Sequence, residues 1–264
     1  SSLNLEKYDE WKDDNNFIPD VMRMLDNVLT DFIEKAPESF SDATYSALKE
    51  RSVGLGVMGL HSYFQQKKIP FESVMSKVWN KKIFANIQKQ VDQASKDLAD
   101  ERGPCPDAAD YGINERFSNK TAIAPTASIS IICGGTSPGV EPIAANSYTH
   151  KTLSGSFNVK NKYLTEVLEK YGKNDEETWS SITTNQGSVS HLDFLSQNEK
   201  DVFKTAFELD QRWIVDLGAD RTPHISQAQS INIFIPADIH KKDLHQIHFQ
   251  AWKKGLKSLY YCRS

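Results

Sequence analysis

The run Thr121-Ala122-Ile123-Ala124-Pro125-Thr126-Ala127-Ser128-Ile129-Ser130 joins an apolar strand to a proline and a cluster of small hydroxyl residues. Proline at a helix start gives up an N–H that has no partner there, and Thr or Ser beside it can cap. The pattern predicts a short helix opening at this turn and running toward Cys133. Free N–H groups and the positive end of the helix dipole would then face outward, which suits an anion such as a phosphate. The same residues serve equally well as a plain structural cap. The loop Gly134-Gly135-Thr136-Ser137-Pro138-Gly139-Val140-Glu141-Pro142 follows closely. Ordering it costs backbone entropy, which is easier to understand beside a ligand than on an idle surface.

Other stretches invite a chemical reading and yield a plainer one. Gly54-Leu55-Gly56-Val57-Met58-Gly59 satisfies the G-x-G-x-x-G dinucleotide pattern. That pattern needs a buried strand before it and a second strand ending in an acid after its helix. Lys49-Glu50-Arg51-Ser52 precedes it and Gln65-Gln66-Lys67-Lys68 follows, so a Gly-rich strand lying against neighbouring backbone is favoured. His240, His245 and His248 are spaced five and three apart, share no tight helical face and lack a Cys or acidic partner. Cys105, Cys133 and Cys262 form no C-x-x-C pair, so neither a disulfide framework nor a zinc site is expected. In a regular strand Tyr260 and Tyr261 would point to opposite faces, one into the core and one to solvent.

The elements that must carry these residues are mostly helical. Apolar spacing predicts helices over about 16–35, 41–50, 60–66, 72–100, 163–171, 197–207, 209–217 and 238–255. Acidic residues of the first segment, Asp20, Asp26 and Asp31 among them, are expected on a solvated face. Short strands at 230–235 and 256–262 flank the last helix, and strand–helix–strand implies parallel pairing in an α/β fold. The 264 residues are 39% hydrophobic and 25% charged, which excludes disorder, collagen and coiled coil. A net charge of −4 argues against a general nucleic-acid binder. No apolar run approaches the ~18 residues of a membrane span, and the first residues do not resemble a signal peptide. With no initiating Met and an abrupt end, the chain reads as a piece of something longer.

Six motifs in one order then resemble a known family. They are Arg51–Leu60, Ala124–Ser130, Gly135–Pro142, Lys151-Thr152-Leu153-Ser154-Gly155-Ser156-Phe157, Gln229-Ser230-Ile231-Asn232 and Leu259-Tyr260-Tyr261. Together they are similar to the C-terminal half of the large (α) subunit of class I ribonucleotide reductase. The resemblance implies an α/β fold, half of the ten-stranded ribonucleotide reductase α/β barrel with surrounding helices, as one domain over residues 1–264. It implies reduction of a ribonucleoside diphosphate to its 2′-deoxy form, started by a cysteine thiyl radical, with two further cysteines supplying the electrons.

On this resemblance Pro125, Thr126, Ala127, Ser128 and Ile129 match the segment that holds the substrate diphosphate, Ala127 and Ile129 acting only through backbone N–H. Ser1 and Ser2 resemble the residues just after one reducing cysteine and join the substrate-binding set. Tyr260 and Tyr261 match the pair that passes the radical to the thiyl cysteine, so their rings must meet and the strand end must depart from regular alternation. The thiyl cysteine, the paired tail cysteines and the regulatory sites have no match, and no turnover is expected from this chain alone. Expected partners are the N-terminal half of the large subunit, the small (β) radical-generating subunit, a ribonucleoside diphosphate, and thioredoxin or glutaredoxin as reductant. Direct nucleic-acid binding and a membrane are not expected, and a cytoplasmic location is. No cofactor is expected in this chain: the radical-generating metal centre belongs to the small subunit, and ATP or dNTP effectors to the N-terminal half. Two alternatives remain open. One is a cobalamin-dependent (class II) fragment, which needs no tyrosine relay; the other is a non-catalytic phosphate-binding scaffold.

Overall fold

A computed structural model describes residues 1–152 and 155–264. Leu153 and Ser154, within the fourth motif, lie outside the described residues. The strands are β1 (Ser2–Asn4), β2 (Gly56–Met58), β3 (Ser147–Thr152), β4 (Gly155–Lys160), β5 (Ile233–Phe234) and β6 (Cys262–Arg263). The helices are α1 (Tyr8–Trp11), α2 (Phe17–Lys35), α3 (Ser41–Glu50), α4 (Leu60–Gln66), α5 (Val74–Arg102), α6 (Pro106–Ala109) and α7 (Ala127–Ile132), then α8 (Lys162–Lys170), α9 (Glu176–Thr184), α10 (Gln197–Val202), α11 (Gln211–Arg221) and α12 (Lys241–Lys253).

Two short parallel pairs anchor the sheet: β1 with β2, Leu3 opposite Val57, and β5 with β6, Ile233 opposite Cys262. Single parallel bridges, Leu55 to Thr121 and Ile123 to Gln229, fill the space between them. Backbone hydrogen bonds cross each seam, from Leu55 N–H to Lys120 O at 2.9 Å and from Ile123 N–H to Ala228 O at 3.1 Å. Five parallel segments therefore lie side by side in chain order, with helices in every connection, as parallel pairing requires. This is the expected half-barrel with its helices. β3 and β4 stand apart as an antiparallel hairpin.

The main core lies between this sheet and helices α2, α4 and α5, with Leu5, Ile18, Leu60, Phe64, Ile83 and Leu217 fully buried. Capping explains where helices begin. Ser73 accepts from Ser76 N–H ahead of α5, and Gly103, at φ +85°, ends that helix. Ser196 and Glu199 form a reciprocal capping box at α10. A second cluster (Leu164, Trp179, Ile182, Phe203) binds α8, α9 and α10 together. Among the described residues no helix is long and apolar enough to cross a membrane.

Several expectations change. The helix predicted over 197–207 stops at Val202, because the Glu208 carboxylate takes both the N–H and the hydroxyl of Thr205 (2.8 and 2.9 Å) and turns the chain. The helix predicted at 209–217 starts at Gln211 because Asp210 caps it, accepting from Arg212 N–H. Between the strands predicted at 230–235 and 256–262 the ladder is confined to Ile233 with Cys262 and Phe234 with Arg263, the last one residue beyond the predicted end. Asp26 is no surface residue: it is fully buried and receives hydrogen bonds from Arg51, Arg102 and Arg116. Val28 on the same helix is 61% exposed.

The Gly54–Gly59 run is a strand packed on neighbouring backbone. A Cβ on Gly56 would stand 2.3 Å from the Ala122 carbonyl oxygen, and neither backbone can yield cheaply. Gly56→Ala is expected to cost about 1–3 kcal/mol, the range for overpacking a tight interior. Urea denaturation of the two proteins checks it.

Candidate functional site

The turn before α7 is built around Thr126, which takes φ +55°, a left-handed value uncommon outside glycine. Its hydroxyl does not cap α7. It accepts the buried Gly139 N–H at 2.7 Å and so ties the turn to the Gly-rich loop. The N–H groups of Ala127, Ser128 and Ile129 consequently find no acceptor among the described residues, and all three residues are exposed. Thr126→Val would strand the Gly139 N–H in the interior, at about 1–3 kcal/mol. The predicted drop in thermal midpoint is read by differential scanning calorimetry.

A cavity of about 530 Å³ opens beside this turn. Pro125, Ala127, Thr136, Glu141, Asn161 and Arg263 are among its lining residues. Thr136 Oγ1 is buried without a partner among the described residues. Asn161 Nδ2 donates to Gln65 Oε1 (3.0 Å) and Asn146 Oδ1 (2.8 Å), fastening the hairpin to α4 and α8. Behind it His61 is held neutral, its value pushed down to about 3 by complete burial, and its Nδ1 accepts from Ile143 N–H. Glu141 is almost fully enclosed; burial raises its carboxyl, against an opposing hydrogen bond from Asn232 Nδ2 (2.6 Å) and the charge of Arg263.

The two tyrosines meet. Their ring centroids are 4.1 Å apart with planes inclined at 47°, and both side chains are about half exposed (51% and 53%). The regular-strand expectation of one buried and one exposed ring is therefore corrected. The cause lies in the ladder. With Ile233 opposite Cys262, regular parallel pairing would give the Ile231 carbonyl the N–H of Tyr261. It receives that of Tyr260 instead, at 2.8 Å, while Ile233 N–H bonds Tyr261 O at 2.9 Å. One residue too many lies between these bonds. The chain bulges, and consecutive side chains come to one side.

Register also relates the tyrosines to the Thr126 turn. Ile123 faces Gln229, so Pro125 lies level with Ile231, which bonds Tyr260. Two strand spacings, about 10 Å, separate these backbones. Tyr260 and Tyr261 line a second hollow of about 390 Å³ with His248 and Trp252. Ser1 and Ser2 are not brought to either place. Ser1 O accepts from Gly56 N–H and Ser2 faces Gly56, on the far side of β2 from Thr121.

The histidines act locally. His240 Nδ1 caps α12 by accepting from Lys242 N–H, and His245 stacks on Phe249. Cys105 is buried, Cys133 and Cys262 are exposed, and all three are free thiols. Among the described residues no three His, Cys, Asp or Glu side chains are grouped as metal ligands. Sequence reasoning passed over Glu141, Asn232 and Arg263 as individuals. A lone carboxylate in a Pro-Gly-Val-Glu-Pro loop was the one local sign of the first.

Comparison with known proteins agrees with this architecture. The family model described as "Ribonucleotide reductase, barrel domain" matches residues 1–115 and 107–262. The ribonucleoside-diphosphate reductase large subunits of Invertebrate iridescent virus 6 and Invertebrate iridescent virus 3 are 53% and 45% identical over the whole of this chain. The chain spans only 28% and 42% of their respective lengths. The Actinobacillus ureae class Id ribonucleotide reductase alpha subunit superposes with a TM-score of 0.92 at 38% identity, over all of this chain and 49% of that one. A five-segment parallel half-barrel, a family model matched almost end to end and a close structural likeness agree: this chain belongs to the ribonucleotide reductase barrel-domain family.

Proposed function

We propose that the chain forms part of the large subunit of a class I ribonucleoside-diphosphate reductase, where it supplies the cradle for the substrate diphosphate and the tyrosine radical relay. The observation that carries this reading is the contact of Tyr260 and Tyr261, 4.1 Å between ring centroids on a strand bulged to bring them together. Each phenol in such a relay loses one electron and one proton to become a phenoxyl. It regains both from the next donor, and the last donor is the S–H of a cysteine outside this chain, left as a thiyl radical. The exposed N–H groups of Ala127, Ser128 and Ile129 supply fixed donors for phosphate oxygens, with the α7 dipole adding to them. Thr126 shapes that turn from behind.

On this reading the partners are the N-terminal half of the large subunit, the small (β) subunit carrying the radical-generating metal centre, and thioredoxin or glutaredoxin. ATP and dNTP effectors act on the N-terminal half, and a cytoplasmic location follows from the substrate pool. On the family resemblance Ser1 and Ser2 belong to the substrate-binding set, although they lie on the far side of β2 from Thr121.

Reconstitution tests the reading. The chain is mixed with the matching remainder of the large subunit, the small subunit and a chemical reductant, and deoxynucleotide formation is followed. Turnover is expected in the full mixture and none from the chain alone. Binding of nucleoside diphosphate without turnover in a demonstrably assembled complex would favour a scaffold instead.

A further inference from the structure

We infer that Asn232, held in orientation by Glu141, is the residue that sets the geometry of the tyrosine pair. Its importance for turnover rests on the relay reading above; its effect on the rings does not. The bulge leaves the Tyr261 N–H without a place in the ladder, and Asn232 Oδ1 accepts it at 2.9 Å. Asn232 is 1% exposed, so its amide is not free to exchange this bond for water. Its other end donates to Glu141 Oε1 at 2.6 Å, which fixes which way round the amide sits. A flipped amide would set N–H against N–H at Tyr261 and oxygen against oxygen at Glu141. Without the acceptor the bulge carries an unsatisfied N–H, and the chain gains by sliding into regular pairing. Regular pairing returns adjacent side chains to opposite faces and parts the rings.

Asn232 and Glu141 touch neither phenol, and so are positioning residues. The readout is the titration of a fluorotyrosine placed at position 260 of the full chain, followed by fluorine NMR. The Tyr261 hydroxyl beside it holds the Tyr260 phenol above its ordinary value, and Tyr261→Phe in the same background marks the midpoint of an unpaired phenol. Asn232→Ala is expected to bring the midpoint down to that mark with far-UV circular dichroism unchanged. The pair Asn232→Asp with Glu141→Gln, in which the aspartate still accepts the Tyr261 N–H and the glutamine amide donates to its other oxygen, is expected to keep most of the native shift. A native midpoint in Asn232→Ala would overturn the inference. Should that variant not fold, Glu141→Leu frees the amide without touching the sheet; a fall is again expected, and a native midpoint again overturns. In the reassembled enzyme Asn232→Ala should lower kcat by about tenfold or more with KM for the diphosphate within about twofold, since binding does not depend on the rings. Turnover indifferent to Tyr260→Phe and Tyr261→Phe would sink the relay reading alone, while the titration would still decide the role of Asn232.

Discussion

On the proposed relay, replacing either Tyr260 or Tyr261 by phenylalanine is expected to abolish deoxynucleotide formation in the reassembled reductase, while nucleoside diphosphate binding survives. Phenylalanine keeps the ring and its packing but has no O–H, so it cannot lose a proton as it loses an electron. The expected fall is about a thousandfold or more, equivalent to about 4 kcal/mol of barrier. The proposed diphosphate cradle should be untouched, because Pro125 and the tyrosine strand are separated by the segment that carries Ile231. Rapid-quench assay of product alongside equilibrium binding of the diphosphate separates the two effects. Loss of binding in step with turnover would mean that the substitutions had disturbed the sheet. Turnover that persists in both variants would direct attention to a cobalamin-type mechanism.

Asp26→Ala is expected to be the most damaging change to stability, at about 3–5 kcal/mol, the cost of removing one partner from a buried ionic cluster. Asp26, midway along α2, is fully buried against the ends of α3 and α5 and the loop that carries Arg116. Its Oδ1 accepts from Arg51 (2.7 Å) and Arg116 (2.9 Å), its Oδ2 from Arg102 (2.8 Å). Arg51 sits at φ +43° just after α3, a backbone value held in place by these bonds. Removing the carboxylate leaves Arg51 buried, charged and without its anion. Burial alone would raise the Asp26 carboxyl, but the guanidinium groups of Arg116, Arg102 and Arg51 outweigh it and hold the value below the ordinary one. The unfolded chain titrates near ~3.9, so this contribution is complete above that pH and is lost as pH falls through the lower folded value. Urea unfolding of both proteins between pH 7 and the acid limit checks this. The difference between wild type and Asp26→Ala should shrink at low pH, and a constant difference would refute the ionic account.

Helices were far more legible in the sequence than strands. α3 and α4 have the predicted bounds, set by left-handed residues at Arg51 after the first and at Gly59 before the second. The parallel strands pair over only two or three residues each, and their neighbours come from distant parts of the chain. Nothing local declares such a ladder, and the half-barrel was legible only through the ordered motifs. The turn into α7 was visible in Pro125-Thr126, although the Thr126 hydroxyl, free to cap the helix, holds the Gly139 N–H instead. Hairpin β3–β4 and helix α9 were missed; in α9 only Thr178, Trp179 and Ile182 are buried, too few to show a period. Glu141 meets Asn232 across 91 residues, a contact that no spacing rule reaches.

The four seams of the sheet also dictate an order of assembly. Leu3–Val57, Leu55–Thr121, Ile123–Gln229 and Ile233–Cys262 close loops of 54, 66, 106 and 29 residues. Loop-closure entropy makes the third seam costlier than the last by about 1 kcal/mol before any packing is gained. Folding is therefore expected to begin at the carboxyl-terminal strand–helix–strand unit, with the Ile123 seam the slowest to close. Pulse-labelled hydrogen exchange should protect the Ile233 and Ile235 amides before that of Ile123. The tyrosine bulge would then form early, and the Thr126 turn would take its final shape only when the longest loop closes.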